Sequence, residues 1–185
     1  MTAATHGEGS VVPQARAERR TLSASTAARY VMGGLRLALG WVFLWAFLDK
    51  LFGFGHDTAS KDAWINGGSP TLGFLKFSAT GPFTDSYHNI AGAGWADWLF
   101  MIGLAGIGLA LITGIGMRIG SVAGVVMLLM MYSVVLPPDN NVFMDDHLIY
   151  AGALVALVLL KAEDTLGLGG WWKSTGLVRR FPWLT

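Results

Sequence analysis

The chain has 185 residues, 53% of them hydrophobic and only 14% charged, with 25 glycines, 8 tryptophans and a mean hydropathy of +0.50. A soluble domain carries about 25% charged residues, so this is the composition of a membrane protein, and a net charge of +1 without a basic stripe excludes a nucleic-acid surface. The absence of cysteine excludes disulfides, iron–sulfur clusters on cysteine, attached c-type haem and a thiol nucleophile, so redox chemistry would need a bound cofactor, a substrate's own sulfur or a partner subunit.

Residues 1–28 are small, polar and basic, and read as a disordered tail. Arg19-Arg20 stand ahead of an apolar run, as in a twin-arginine signal. That run holds Arg36, Asp49 and Lys50 and lacks an A-x-A cleavage site, so it is read as a retained membrane helix. Four segments, about 30–54, 95–114, 119–136 and 143–162, are long or apolar enough to cross a bilayer, which needs about 20 residues. The fold class expected is an all-α integral membrane protein: a four-helix bundle over 29–165, followed by a C-terminal tail over 166–185. Arg16, Arg19, Arg20, Arg29, Arg118, Lys161, Lys173, Arg179 and Arg180 fall on one side of these spans, and only Lys61 and Lys76 on the other. By the positive-inside rule the protein is a multi-pass cell-membrane protein with both termini cytoplasmic.

The first outer loop, about 55–94, is long for a connection. Its stretch "GGSPTLGFLKFSATGPF" predicts a short interfacial helix between Gly/Pro turns, as either a lid over an outward-facing pocket or a passive anchor. Trp64, Trp95 and Trp98 fit an aromatic belt. In the first span Arg36, Gly40, Phe43, Phe47 and Lys50 recur at helical spacing on one stripe. Arg36 is assigned an interior role because it lies inside the apolar span and shares its stripe with Gly40. Lys50 either snorkels to the outer headgroups or meets an anion. Gly116, Gly120 and Gly124 form two overlapping GxxxG steps, a close-packing face.

The stretch "PPDNNVFMDDHLIYAGALVALVLLK" sets Asp145, Asp146 and His147 against the last apolar run. From Leu148 to Leu160 that run covers about 20 Å of helix against a hydrocarbon core of about 30 Å. Asp146 and His147 therefore sit below the membrane surface, or the bilayer thins around them. One acid serves as the helix cap. His147 beside carboxylates suits proton transfer, with Asp146 orienting it and Tyr150, three residues on, donating to a ligand carbonyl. No paired-ligand spacing for a metal and no pair of membrane histidines for haem is present, so neither is expected.

Several of these stretches, taken in order, resemble one family. "RLALGWVFLWAFLDK", the outer-loop stretch, "WADWLFMIGLAGIGLAL", "GIGMRIG", "LPPDNNVFMDDHLIYA" and the final "GLGGWW…RRFPWL" are similar to the DoxX/DoxD membrane proteins over about residues 30–185. The outer-loop and DDH stretches look most like the large, DoxD-like subunit of thiosulfate:quinone oxidoreductase. The resemblance implies oxidation of thiosulfate to tetrathionate, quinone as electron acceptor, and a second small membrane subunit as partner. On that reading Asp146, His147 and Tyr150 are the candidate catalytic residues, and Arg36 and Lys50 the candidate binders of anions. The alternative within the same family is a non-catalytic scaffold whose basic cytoplasmic ends recruit soluble redox enzymes.

Overall fold

The computed structural model describes residues 11–139 and 141–185, with side chains from residue 25 onward. The described residues are helical, without a strand. Helix α1 runs over Val11–Phe52, so the stretch expected as a disordered tail is already helical from Val11, while its first ten residues lie outside the described part. Ala, Arg, Glu and Gln are strong helix formers and extend the apolar helix backwards without a break.

Two short helices, α2 (Leu72–Phe77) and α3 (Thr84–Ile90), occupy the long connection; α2 lies in the stretch where one helix was expected, and α3 is an additional one. Helices α4 (Gly94–Thr113) and α5 (Met117–Val134) fall within two residues of their predicted spans. Gly114 and Gly116, at φ 75° and 63°, turn the chain between them. Helix α6 covers Asp146–Leu159, shorter at both ends than the predicted span. Asp145 caps its start, and Lys161, at φ 52°, lies beyond its end.

Among the described residues three helices are long and apolar enough to cross a membrane: Ser25–Phe52 of α1, α4 and α5. The 14-residue α6 is apolar but shorter; at 1.5 Å per residue it is about 21 Å long. Helix α1 packs on α4, α4 on α5, α5 on α6, and α6 touches α1. The connections 53–93 and 135–145 lie at one end, here the loop end; the α4–α5 turn and the C-terminal segment lie at the other, the terminal end.

Leu39, Phe43, Met101, Leu104, Ile107, Leu111, Leu128, Leu154 and Leu157 form the buried core. Small residues set the helix spacing. A Cβ on Gly108 would stand 2.8 Å from the Leu44 amide nitrogen, and one on Gly40 2.9 Å from Leu111 Cβ, so α1 and α4 touch nearly backbone to backbone. The GxxxG face behaves as expected at two of its three positions. Gly120 meets Ala110 of α4 and Gly124 meets Leu154 of α6, whereas Gly116 belongs to the turn.

Residues 162–185, expected in part as a tail, fold into a cap across the terminal end. Helices α7 (Gly169–Ser174) and α8 (Gly176–Arg180) follow a single helical turn at Ala162–Asp164. The Leu168 amide donates to Thr113 O (2.7 Å) and the Arg118 amide to Thr185 O (2.9 Å). The cap thus satisfies backbone groups that the last turn of α4 and the first turn of α5 leave open.

Candidate functional site

The DDH stretch forms one connected unit at the loop end. Asp145 Oδ1 accepts the Leu148 amide (3.2 Å) as the α6 cap, and its other oxygen stands 2.6 Å from His147 Nδ1. A carboxylate can only accept, so Nδ1 is the donor of this pair and Nε2 is the ring nitrogen left for another partner. Asp146 is 3.6 Å from the same nitrogen and 70% exposed, against 12% for Asp145. The residue orienting His147 is therefore Asp145, which corrects the expectation for Asp146. The cause lies in helix geometry: a cap side chain folds back over the first turn, whereas the next residue points out from it. Tyr150 is half-buried against the core, and neither His147 nor Asp146 hydrogen-bonds it. One ligand atom from each of Asp145, Asp146 and His147 lies within 4.8 Å of the others, but two of these groups are already spent on each other.

A cavity of about 360 Å³ lies at the loop-end half of α4 and α5, beneath α2 and α3. Its wall is formed by apolar side chains, among them Phe74, Phe100, Ile107, Met127 and Met131. Trp95, Leu99, Val126 and Met130 also line it and are each more than half exposed on the outer faces of α4 and α5, so the cavity opens sideways between these helices. Tyr87 of α3 and Thr71, just before α2, are the hydroxyl-bearing residues along this almost wholly apolar wall.

Two anchors hold the cover in place. Asp97, in the first turn of α4, accepts the Thr71 amide (3.0 Å), the Thr71 hydroxyl (2.6 Å) and the Ser69 hydroxyl (2.9 Å) on one oxygen. Further along, the Thr80 amide donates to Val134 O (2.9 Å). Gly81, at φ 75°, passes so close to the Leu136 carbonyl that a Cβ would collide with it. A second buried acid, Asp49, accepts the amides of Asp57 (3.0 Å) and Thr58 (2.9 Å), folding the start of the loop onto α1.

The structure separates the two residues expected to bind anions. Arg36 is fully buried at the terminal end. Its guanidinium donates to the carbonyls of Leu111 and Ile112 in the last turn of α4, and to those of Thr165 (3.3 Å) and Leu166 (2.9 Å) in the cap. Arg36 is interior, as expected, and the partners of its two terminal nitrogens are backbone carbonyls of the chain itself. Buried Glu163 completes this end by pairing with Lys173 (2.7 Å), which also meets Asp164 (2.8 Å). Burial depresses the Lys173 pKa, but its hydrogen bonds to the Asp164 and Glu163 carboxylates outweigh that, and the net shift is upward. Lys50 is half-buried near the loop end of α1 and makes no ion pair among the described residues.

No protein-family model, curated protein or solved structure matches this chain. A lid over a pocket was one of the two expectations for the loop, but the residues that wall the cavity, and Asp97 and Tyr87 among the polar groups around it, were not legible in the sequence. Only one local signal was available for them, an acid in the first turn of a predicted span, and that also describes an ordinary helix start.

Proposed function

We propose that the protein is a four-helix membrane subunit of the DoxX/DoxD type that binds a membrane quinone in the cavity between α4 and α5. In this reading α6 crosses as the fourth helix in a locally thinned bilayer. The loop end faces outward, the termini are cytoplasmic, and thiosulfate is the electron donor. The observation that carries the proposal is the cavity. Its volume of about 360 Å³ falls within the range of about 300–1,000 Å³ typical of small-molecule sites, its wall is apolar and aromatic, and it opens toward the lipid. A substituted ring on an isoprenoid tail could enter from the bilayer without crossing water. The stretches similar to the DoxD-like subunit support thiosulfate as donor. Two thiosulfates give tetrathionate and two electrons, and a quinone takes those electrons with two protons.

Within that balance the residues of the chain divide the work. The cavity positions the ring and excludes water. His147, held through Nδ1 by Asp145, presents Nε2 as a proton-carrying group at the outer surface. Lys50, without an ion pair among the described residues, offers a cation for an anionic donor at the same end. The chain has no cysteine, so the transfer relies on the donor's sulfur and on a second subunit.

The test is a titration of the purified chain in lipid nanodiscs with a decyl-substituted quinone, followed by thiosulfate-dependent quinol formation with candidate partner subunits present. Wild type should bind the quinone, and Ala123→Phe, which fills the cavity from α5, should lose at least about tenfold in affinity. Absence of binding would sink the quinone reading. Binding without thiosulfate-dependent reduction would sink the donor assignment alone.

A second reading, the recruiting scaffold, is favoured by one surface of the terminal cap. Trp171, Leu177 and Trp183 are each more than half exposed there, beside Arg179 and Arg180. It predicts no quinone binding, so the same titration separates the two.

A further inference from the structure

The hydroxyls of the residues that line the cavity are wired so that they can accept but not donate. Side chains with an N–H or O–H among the lining residues are Thr71, Tyr87 and Trp95. The Ser133 hydroxyl stands 2.7 Å from the Met130 carbonyl oxygen, which can only accept, so Ser133 spends its single proton there. Tyr87 pairs with the same Ser133 oxygen at 2.5 Å. With the serine proton committed, Tyr87 must be the donor of that bond, and its own oxygen is left with lone pairs only. Thr71 has reached the same condition independently, because its hydroxyl donates to Asp97 at 2.6 Å. The remaining donor, the Trp95 indole, belongs to a side chain 61% exposed at the mouth.

We infer that this site selects ligands whose polar group donates a hydrogen bond, so that it holds the hydroquinone form of a quinone, or a comparable phenol, more tightly than the quinone itself. The inference rests on the quinone reading for its natural ligand but on the hydroxyl wiring for its direction. A quinone carbonyl brings only an acceptor to the two hydroxyl oxygens. To serve it, Tyr87 must leave Ser133, or Ser133 must leave Met130, and either change gives up a bond already made. A hydroquinone hydroxyl meets Tyr87 as it stands. The net worth of one such bond corresponds to a preference of about fivefold. A site that favours the two-electron, two-proton reduced form also makes reduction of the bound ring easier than reduction of the same ring free in the membrane.

The experiment measures binding of two matched probe pairs to the full chain in nanodiscs, under anaerobic conditions, by tryptophan fluorescence. One pair is a decyl-hydroquinone and its quinone; the other, redox-inert, is 4-nonylphenol and its methyl ether. Wild type should prefer the hydroxylated member of each pair by about fivefold. Tyr87→Phe should reduce the preference in each pair, since only the Thr71 oxygen is then left to accept. Ser133→Ala is the decisive variant, since it frees the Tyr87 proton to donate: quinone affinity should rise and the preference shrink or invert. Equal or tighter binding of quinone and ether by wild type would overturn the inference, as would a preference untouched in both variants. If nonylphenol beats its ether while neither quinone form binds, the wiring stands and the quinone reading fails. If no probe binds, both fail.

Discussion

Replacing Arg36 by methionine tests whether this residue is a structural clamp or a ligand-binding group. The substitution keeps most of the stem volume and removes the guanidinium, which donates to Leu111, Ile112, Thr165 and Leu166 carbonyls from a fully buried position. A hydrogen bond from a charged group contributes about 1.5–3 kcal/mol, so simple addition over the bonds overshoots, because burying the cation has a cost that the variant no longer bears. Breaking a buried ionic arrangement by deleting one partner costs about 3–5 kcal/mol. Glu163, buried close by, would also lose a nearby cation. For a chain of this length each kcal/mol lowers the melting temperature by about 2–4 °C, so thermal unfolding in detergent, followed by circular dichroism, should fall by about 10 °C. Arg36→Lys keeps the charge but offers one compact ammonium in place of a planar fork, and should recover less than half of the loss. Limited proteolysis gives the spatial signature: in Arg36→Met, cleavage should appear first within residues 162–185, the segment the guanidinium ties to α4. A variant that melts within about 2 °C of wild type and keeps its cap protected would refute the clamp.

Three other outcomes follow from the same geometry. Lys173 has its pKa raised above the ordinary lysine value, so its ion pairs with Glu163 and Asp164 stabilise the fold fully below that value, and the contribution is lost as pH rises through the higher folded one. The melting-temperature gap between wild type and Lys173→Met should therefore be constant near neutral pH and close only in strongly alkaline buffer; a gap independent of pH up to about 12 would contradict the pairing. Asp145→Ala removes both the α6 cap and the partner of His147, and should cost about 1–2 kcal/mol and shift the imidazole nitrogen resonances, while Asp146→Ala should do neither. Equal effects of the two would restore Asp146 to the orienting role. Gly108→Val would force α1 and α4 apart at the Leu44 backbone and should destabilise by about 3 kcal/mol, read in the same melt; unchanged stability would mean that the close approach is not tight.

The elements legible in the sequence are those that local pattern controls. Helices α4 and α5 fall where apolar runs end at Gly114 and at Pro137-Pro138, because a membrane-length apolar helix is fixed by its own composition and its breakers. The Gly120–Gly124 face was visible because helical periodicity places small residues on one side. The capping acid before α6 was also legible, since a cap is a contact across three residues. Which of two adjacent acids does the capping was not, because that depends on the backbone turn at Asp145, which is extended at φ −139° and ψ 179°.

By itself, then, the sequence determined an apolar, all-helical chain with membrane-length helices, the bounds of α4 and α5, and the Gly120–Gly124 stripe on which α5 meets its neighbours. Only the tertiary structure decided what the polar residues do. Arg36 meets carbonyls 75 to 130 positions away, and Asp97 reaches back across 26 residues to pin Thr71 over the cavity. A charge inside an apolar span announces that a partner exists, because burial without one is too costly. It does not say whether that partner is a ligand or the protein's own backbone, and only the packing of α1 against α4 and the folding of the C-terminal cap settled the question for Arg36. The cavity likewise belongs to no segment: it lies between the loop-end halves of α4 and α5 beneath the loop helices, walled by side chains from four elements at once.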